Sequence, residues 1–350
     1  MSHQPVDGDG SQFSLGTVTN VGPPIFQLPY DILDVIFKEV CWPSSSKLPS
    51  TQSLIRLGAV CRLWYQVTQS TSYLWTCIEL TSGSCHENRI QALEKQIRNA
   101  GNCHFDVVLQ NNPNLVSLQG HLHSSEHDRG FPSPNTFQLI FVRHANKIKS
   151  ITFLHFYPPW LRGISHLSRL GRFSNLQSFK YSPSRYETLN NFKRWRQSDP
   201  ALEILLHSTP RLQHMVISSS FQSNFIFPYS QITSLQLALI DIVYAIPVIT
   251  QCSNVEICHI ENLIQSFPGV FAPEAGLQKL PWRPHRLHTL SLIHRYDAQI
   301  PGELVNLLIQ RTTFPSSIQV KFQCTSTLVN QRFIREFFRK NPRAVNVLDR

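Results

Sequence analysis

Several things are scarce in this chain. Charged residues make up only 15% of its 350 positions, against an apolar share of 41% that is ordinary for a globular protein. No C-x-x-C pair occurs among the eight cysteines (Cys41, Cys61, Cys77, Cys85, Cys103, Cys252, Cys258 and Cys324), so neither a zinc ribbon nor a thioredoxin-type motif can be built. No N-x-S/T acceptor is present, and no apolar run follows a basic N-terminal segment as in a secretory signal. Together with the scattered cysteines, this leads us to expect a reducing compartment, cytosol or nucleus. The longest uncharged stretch, residues 212–240, is interrupted by Ser, Gln, Asn and Pro228 and is too polar to span a bilayer.

Catalytic signatures are missing as well. The chain has no G-x-S-x-G elbow, no H-E-x-x-H and no Gly-rich phosphate loop, so no enzyme activity is expected. His121, His123 and His127 fall in a Gly/Ser/Asp/Pro-rich stretch with no second ligand cluster beside them. A structural zinc site needs four ligands held in fixed geometry, so neither a metal nor any other cofactor is expected. Cys252, Cys258 and His259 are equally weak as ligands, because Cys258 occupies an inward strand position.

What is present divides the chain in two. Residues 1–24, rich in Gly, Ser, Asp, Pro and Asn, read as a disordered tail. The stretch LPYDILDVIF (28–37) follows, with Ile32, Leu33, Ile36 and Phe37 at helical spacing, Pro29 at the helix start, and Asp31 and Lys38 placed to suit the helix dipole. After a Pro/Ser loop, Leu54, Leu57, Val60, Cys61 and Trp64 mark a second and third helix separated near Gly58. A bundle this small has little interior, so some of its apolar residues stay outside.

LPYDILDVIF, then AVCRLWYQV, then STSYLW resembles the F-box, from about Phe26 to Leu80, with Asp31 where glutamate is commoner and an expanded loop at residues 41–50. The resemblance implies docking onto the Skp-type adaptor of a cullin–RING ubiquitin ligase. It carries over Leu28, Pro29, Ile32, Leu33 and Ile36, with Leu57 and Val60, as adaptor contacts; for any one of them, bundle core is the competing role, as it is for Trp64. Leu28 and Pro29 precede the helix, so Leu28 is expected to be exposed and covered by the partner.

The second half repeats one pattern, apolar-x-x-apolar-x-apolar. It appears as IKSITF (148–153), LQSFKY (176–181), LQHMVI (212–217), ITSLQL (232–237), VEICHI (255–260) and LHTLSL (287–292), with degenerate copies at HFDVVLQ (104–110) and SIQVKF (317–322). Each reads as a short strand whose inward residues alternate. Helical patterns lie between them at 137–145, 160–170, 201–208, 241–251 and 303–311, and FSNL, STPRL and CSNV stand as turns just before strands. Helix–turn–strand at a spacing of 20 to 36 residues reads as an irregular leucine-rich-repeat solenoid without the ideal asparagine ladder; a doubly wound α/β domain is the alternative. The amphipathic LVNQRFIREFFRKNP (328–342) reads as a cap over the last repeat rather than as a membrane-surface helix.

The expected fold is therefore α+β in several units. Residues 25–80 form a helical F-box bundle and 81–350 a repeat solenoid with a capping helix near 328–340. Its function is expected to be substrate recognition for the ubiquitin ligase, with an unidentified target protein on the concave strand surface and no membrane contact. A scaffold with no ubiquitin role is the alternative. The net charge of +10 falls entirely in residues 151–350, which hold 21 basic against 11 acidic residues. That asymmetry points to an acidic partner, with Lys193, Arg194, Arg196, Arg332, Arg335, Arg339 and Lys340 as candidate contacts. Trp195 within FKRWRQ also allows base stacking, but a charge divided between two regions argues against nucleic acid.

Overall fold

A computed structural model describes residues 28–41, 51–81, 88–110, 134–156, 172–183, 209–218, 228–240, 242–262, 284–294, 314–315, 318–324, 335, 337–342 and 345–346. The N-terminal tail, the histidines at 121, 123 and 127, and the helical patterns at 160–170, 201–208 and 303–311 lie outside the described residues.

Helix α1 runs Tyr30–Cys41. Pro29 sits just ahead of it, and its carbonyl accepts the N–H groups of Ile32 and Leu33, each at 3.1 Å. Leu33, Phe37 and Cys41, four residues apart, point inward. Helices α2 (Thr51–Gly58) and α3 (Arg62–Ser70) close the bundle, with the Phe37 ring meeting Trp64 edge-on at 5.0 Å. Polar bonds fasten its far end: Tyr30 Oη lies 2.9 Å from both Ser70 Oγ and Thr71 Oγ1, and Trp75 Nε1 donates to the Thr68 carbonyl at 2.6 Å.

The bundle runs without a break into a sheet. A 3-10 turn, Ser72–Trp75, leads into β1 (Cys77–Thr81), so the sheet begins inside the stretch expected to be bundle. Helix α4 (Asn88–Ala100), which the sequence reading missed, packs on this seam. Its buried Gln96 donates through Nε2 to the carbonyls of Trp75 at 3.2 Å and Cys77 at 2.5 Å. Asn99 Nδ2 donates to Gln69 Oε1 of α3 at 3.0 Å. Gly101 ends α4 at φ +57°, a left-handed conformation that glycine adopts without steric cost.

Strands β2 (Phe105–Gln110), β3 (Ile148–Phe156), β4 (Ser178–Pro183), β5 (His214–Ser218), β6 (Ser234–Ala238), β7 (Ile257–Glu261), β8 (Thr289–His294), β9 (Gln319–Cys324) and β10 (Val345–Asn346) follow β1 in one sheet. They lie in chain order, and each pairs in parallel with the next. A doubly wound sheet reverses its strand order at a switch point; this order never reverses. The register aligns one inward row, Ile78, Val107, Ile151, Phe179, Met215, Leu235, Cys258, Leu290 and Val320, all buried. Neighbouring strands lie about 4.8 Å apart, so each such residue stacks on the next in a continuous core shared with Leu33 and Phe37 of the bundle.

In four copies the first apolar residue of the repeated pattern is a turn residue rather than part of the strand, whereas Ile148 opens β3. The N–H of Leu176, Leu212, Ile232 and Leu287 bonds to the carbonyl of Phe173, Thr209, Tyr229 and Pro284 respectively, each at 3.2 Å. Polar side chains link successive turns: Asn175 Nδ2 donates to the Asn146 carbonyl at 2.6 Å, Arg211 to Asn175 Oδ1 at 2.8 Å, and Asn254 Nδ2 to the Ser230 carbonyl at 2.5 Å. Gln231 bonds the Thr209 carbonyl in the same manner.

Of the expected interstrand helices, 241–251 is helical as α5 (Ile242–Gln251). The 137–145 pattern instead forms a short α-turn (Pro134–Phe137), a π-helical stretch (Gln138–Arg143) and a 3-10 turn (Ala145–Lys147), which still buries Leu139, Ile140 and Phe141. Near the C-terminal end, residues 335 and 337–340 are helical. Phe337 there is fully buried between Phe314 and Phe338, with ring centroids 5.3 Å away in each case.

Candidate interaction surfaces

Helix α1 is apolar on two sides. At about 100° per residue, Leu33, Phe37 and Cys41 define the core side. Ile32, Val35, Ile36 and Val40 form a second stripe at spacings of three, four and eight residues on the away side. Ile32 is 47% and Val35 58% exposed, while Ile36 is half-buried at the edge of the core. A helix that is apolar on both faces belongs between two partners, and the bundle supplies only one. Ile55 in α2 is 61% exposed, and Val60, Leu63 and Tyr65 are exposed around the start of α3. Among the described residues, every exposed large apolar side chain lies between Tyr30 and Tyr65. Single exposed apolar residues are ordinary, but such a concentration on one small bundle marks an interaction surface.

The residues expected to contact an adaptor divide by environment. Pro29, Ile32 and Val60 are exposed; Ile36 and Leu57 are half-buried against the core. Leu33 is fully buried, because it lies on the core stripe of α1, and so presents no surface to a partner in this conformation. Leu28, expected to be exposed, is half-buried and packs against the core. Trp64 is core. The sequence reading missed Tyr30, Val35, Val40, Ile55, Leu63 and Tyr65; the spacing of Val35 and Val40 from Ile32 and Ile36 was the available signal.

The charged and titratable groups near the bundle hold structure together. Tyr73 Oη donates to Asp34 Oδ1 at 2.6 Å, and burial, reinforced by that bond, raises the phenol well above its ordinary range. Burial raises the Cys41 thiol to about 11, and burial followed by the Asp106 and Glu79 charges raises Cys77 to about 12. Cys258 is raised to about 12 and Cys252 further still, both by burial first. Such thiols stay protonated and unreactive at neutral pH. Among the described residues, no group of three or more His, Cys, Asp or Glu is placed to hold a metal ion, and no helix is long and apolar enough to cross a membrane.

Of the basic candidates, Arg335, Arg339 and Lys340 are exposed on the C-terminal helical segment; Lys193, Arg194, Arg196 and Arg332 lie outside the described residues. The sheet's outward face offers a second surface. Its central row runs Glu79, Val108, Thr152, Lys180, Val216, Gln236, His259, Ser291 and Lys321 in register. It is mainly polar, with short side chains at several positions, unlike the bundle's apolar stripe.

Compared with known proteins, the chain has no match among curated sequences. Residues 25–81 match the F-box-like family model, a segment that holds the two-faced helix α1, the rest of the bundle and β1. An F-box-like domain therefore occupies residues 25–81 of this chain, followed by a parallel sheet in sequential order.

Proposed function

We propose that this protein is the substrate-recognition subunit of a cullin–RING ubiquitin ligase, bound to a Skp-type adaptor through its F-box-like bundle and holding a target protein on the sheet. The observation that carries the reading is that, among the described residues, exposed large apolar side chains are confined to the F-box-like domain. Ile32, Val35, Ile36 and Val40, with Ile55, Val60 and Leu63, would lie under the adaptor. Covering the exposed half of an isoleucine or valine contributes about 1 kcal/mol, so a few such residues account for a stable interface.

The second part reads best as an irregular leucine-rich-repeat solenoid ending in a cap at the Phe337 helix. Three features support this: sequential parallel strands, the recurring apolar-x-x-apolar-x-apolar pattern, and polar bonds from turn to turn. In such an array each repeat buries its apolar row against its neighbours. The protein itself would make and break no bonds. It would raise the effective concentration of a target lysine at the transfer enzyme, in the cytosol or nucleus. The exposed Arg335, Arg339 and Lys340 would add positive charge facing an acidic surface.

Co-purification with a Skp-type adaptor tests the reading, with a Leu28→Ala/Pro29→Ala variant, shown to be folded by circular dichroism, as comparison. Capture by the wild type and its loss or marked weakening in the variant is the expected result. A folded wild type that captures no adaptor would instead leave a binding scaffold with no ubiquitin role, since a fold does not fix a function.

A further inference from the structure

Positive charge collects on the edge where the chain enters the middle strands. The described residues of β3 to β6 and of the turns leading into them (143–156, 172–183, 209–218 and 228–240) include Arg143, Lys147, Lys149, Arg172, Lys180 and Arg211 but no aspartate or glutamate. Each of these cations is exposed except Lys147, which is half-buried. Register gathers them. Lys147, Asn175 and Arg211 hold the same position ahead of β3, β4 and β5, each directly before a buried apolar residue (Ile148, Leu176 and Leu212). With parallel strands about 4.8 Å apart, Lys147 and Arg211 stand about 10 Å apart along the edge. Lys149 is the extra residue of a β-bulge, since Phe105 pairs with Ile148 and Asp106 with Ser150; a bulge of this kind re-aims a side chain. Lys180, in the middle of β4, carries the charge onto the sheet's outward face. The bonds that hold this edge leave its charge uncancelled: Arg211 donates to Asn175 Oδ1 at 2.8 Å and Lys147 Nζ to the Gly101 carbonyl at 2.7 Å, both neutral acceptors. Asp106, the carboxylate on the flanking strand β2, accepts from Ser150 Oγ at 2.5 Å.

We propose that this strand-entry edge, with Lys149, Arg172 and Arg211 at its centre, docks a run of aspartate or glutamate residues in a bound polypeptide. Spacing favours separate carboxylates. Alternate residues of an extended chain put side chains on one side about 7 Å apart, which suits cations set one or two strands apart. A single phosphoryl group calls for several donors converging on one point, and these cations are spread out instead. Nucleic acid fits less well. Among the described residues of β3 to β6 no large aromatic is exposed for a base to stack on. The charged part, β3 to β5, is about 10 Å wide, room for about two phosphates where duplex binding rests on many. Arg211, held by Asn175, keeps its remaining N–H groups for a carboxylate, and a guanidinium fixed beforehand loses less freedom on binding. The inference rests on the reading that the repeat sheet holds the target, and it adds where a target docks and by what chemistry.

The test uses the full chain and fluorescent twelve-residue peptides in an uncharged Ala/Ser/Asn background, with four glutamates at alternate positions, four glutamines in their place, or one phosphoserine. A single-stranded twelve-nucleotide RNA is the fourth probe. Fluorescence anisotropy should show the glutamate peptide binding at least about tenfold more tightly than the glutamine peptide, and Lys149→Glu/Arg172→Glu should remove at least about tenfold of its affinity. Arg56→Glu/Lys95→Glu, which makes the same change in net charge on exposed faces of α2 and α4, should cost about twofold or less. Both variants alter exposed side chains and should melt within about 2 °C of the wild type. Should the first pair melt early, Lys180→Glu alone serves, with an expected loss of at least about threefold. Equal binding of the glutamate and glutamine peptides overturns the proposal, as does an equal loss in the Arg56/Lys95 variant, which would reduce the effect to general charge attraction. Tighter binding of the phosphoserine peptide or of the RNA overturns it in favour of that ligand. These results do not depend on the adaptor: failure of adaptor capture alone overturns the ligase reading and leaves the acidic-segment edge standing.

Discussion

Replacing Gln96 by leucine tests whether bundle and sheet are joined by the bonds described. Gln96 is 6% exposed, and its Nε2 satisfies two backbone carbonyls, those of Trp75 at 3.2 Å and Cys77 at 2.5 Å, where the 3-10 turn passes into β1. Leucine nearly matches the volume and creates no cavity of note, so the cost arises from the carbonyls stripped of their donor. At about 1–2 kcal/mol for each buried group left short of a partner, the variant should lose about 2–4 kcal/mol. In urea this appears as a lower midpoint with an unchanged slope. Hydrogen exchange should show the loss first in β1 and the C-terminal half of α4, the elements that meet at the seam. A shift below about 0.5 kcal/mol, the range of an ordinary surface change, would refute the reasoning and mean that Gln96 is not what fastens the two parts.

Three further outcomes follow from the same structure. Phe153→Ala should cost about 3–5 kcal/mol in denaturant unfolding, because Phe153 is fully buried and meets Phe179 edge-on at 5.7 Å. Gly101→Ala should lower stability by about 1 kcal/mol in a thermal melt through backbone strain alone, since an added Cβ would meet Ser72 Oγ at an unstrained 3.8 Å. Cys41, Cys77 and Cys258 should resist iodoacetamide at pH 8 until the chain is unfolded. Their folded values of about 11, 12 and 12 exceed the ordinary 9.0, so above pH 9 the unfolded chain sheds protons the folded one keeps. Stability should therefore fall as the pH climbs from about 9 toward these values; a melting temperature flat across that window would contradict the burial.

The strands were legible because a parallel strand covered on one face leaves a strict signature. In LQHMVI, Leu212 closes the turn while Met215 and Ile217 fill the inward rows, and the same arithmetic holds at Leu176, Ile232 and Leu287. β1 escaped because Ile78 and Leu80 follow directly on SYLW, so their alternation merged with the bundle's own apolar residues. Helix α4 was readable from Ile90, Leu93, Ile97 and Ala100, but no neighbouring motif drew attention to it, and Gln96 looks like a surface glutamine until the carbonyls it serves are in place. The orientation of α1 was the hardest feature to read. Adjacent apolar residues such as Ile32 and Leu33 point about 100° apart, so one of each pair faces inward, and only packing against α2 and α3 decides which.

The two-faced reading of α1 is tested most directly by measuring affinity for a purified Skp-type adaptor in three proteins: wild type, Ile32→Asp/Val35→Asp on the outward stripe, and Leu33→Ala on the inward one. The outward variant should keep its melting temperature and lose adaptor binding by at least about a hundredfold, whereas the inward variant should melt earlier yet bind normally at temperatures where it is folded. Full binding by the outward variant would contradict the account, because the stripe left exposed by the bundle would then not be the surface the adaptor covers.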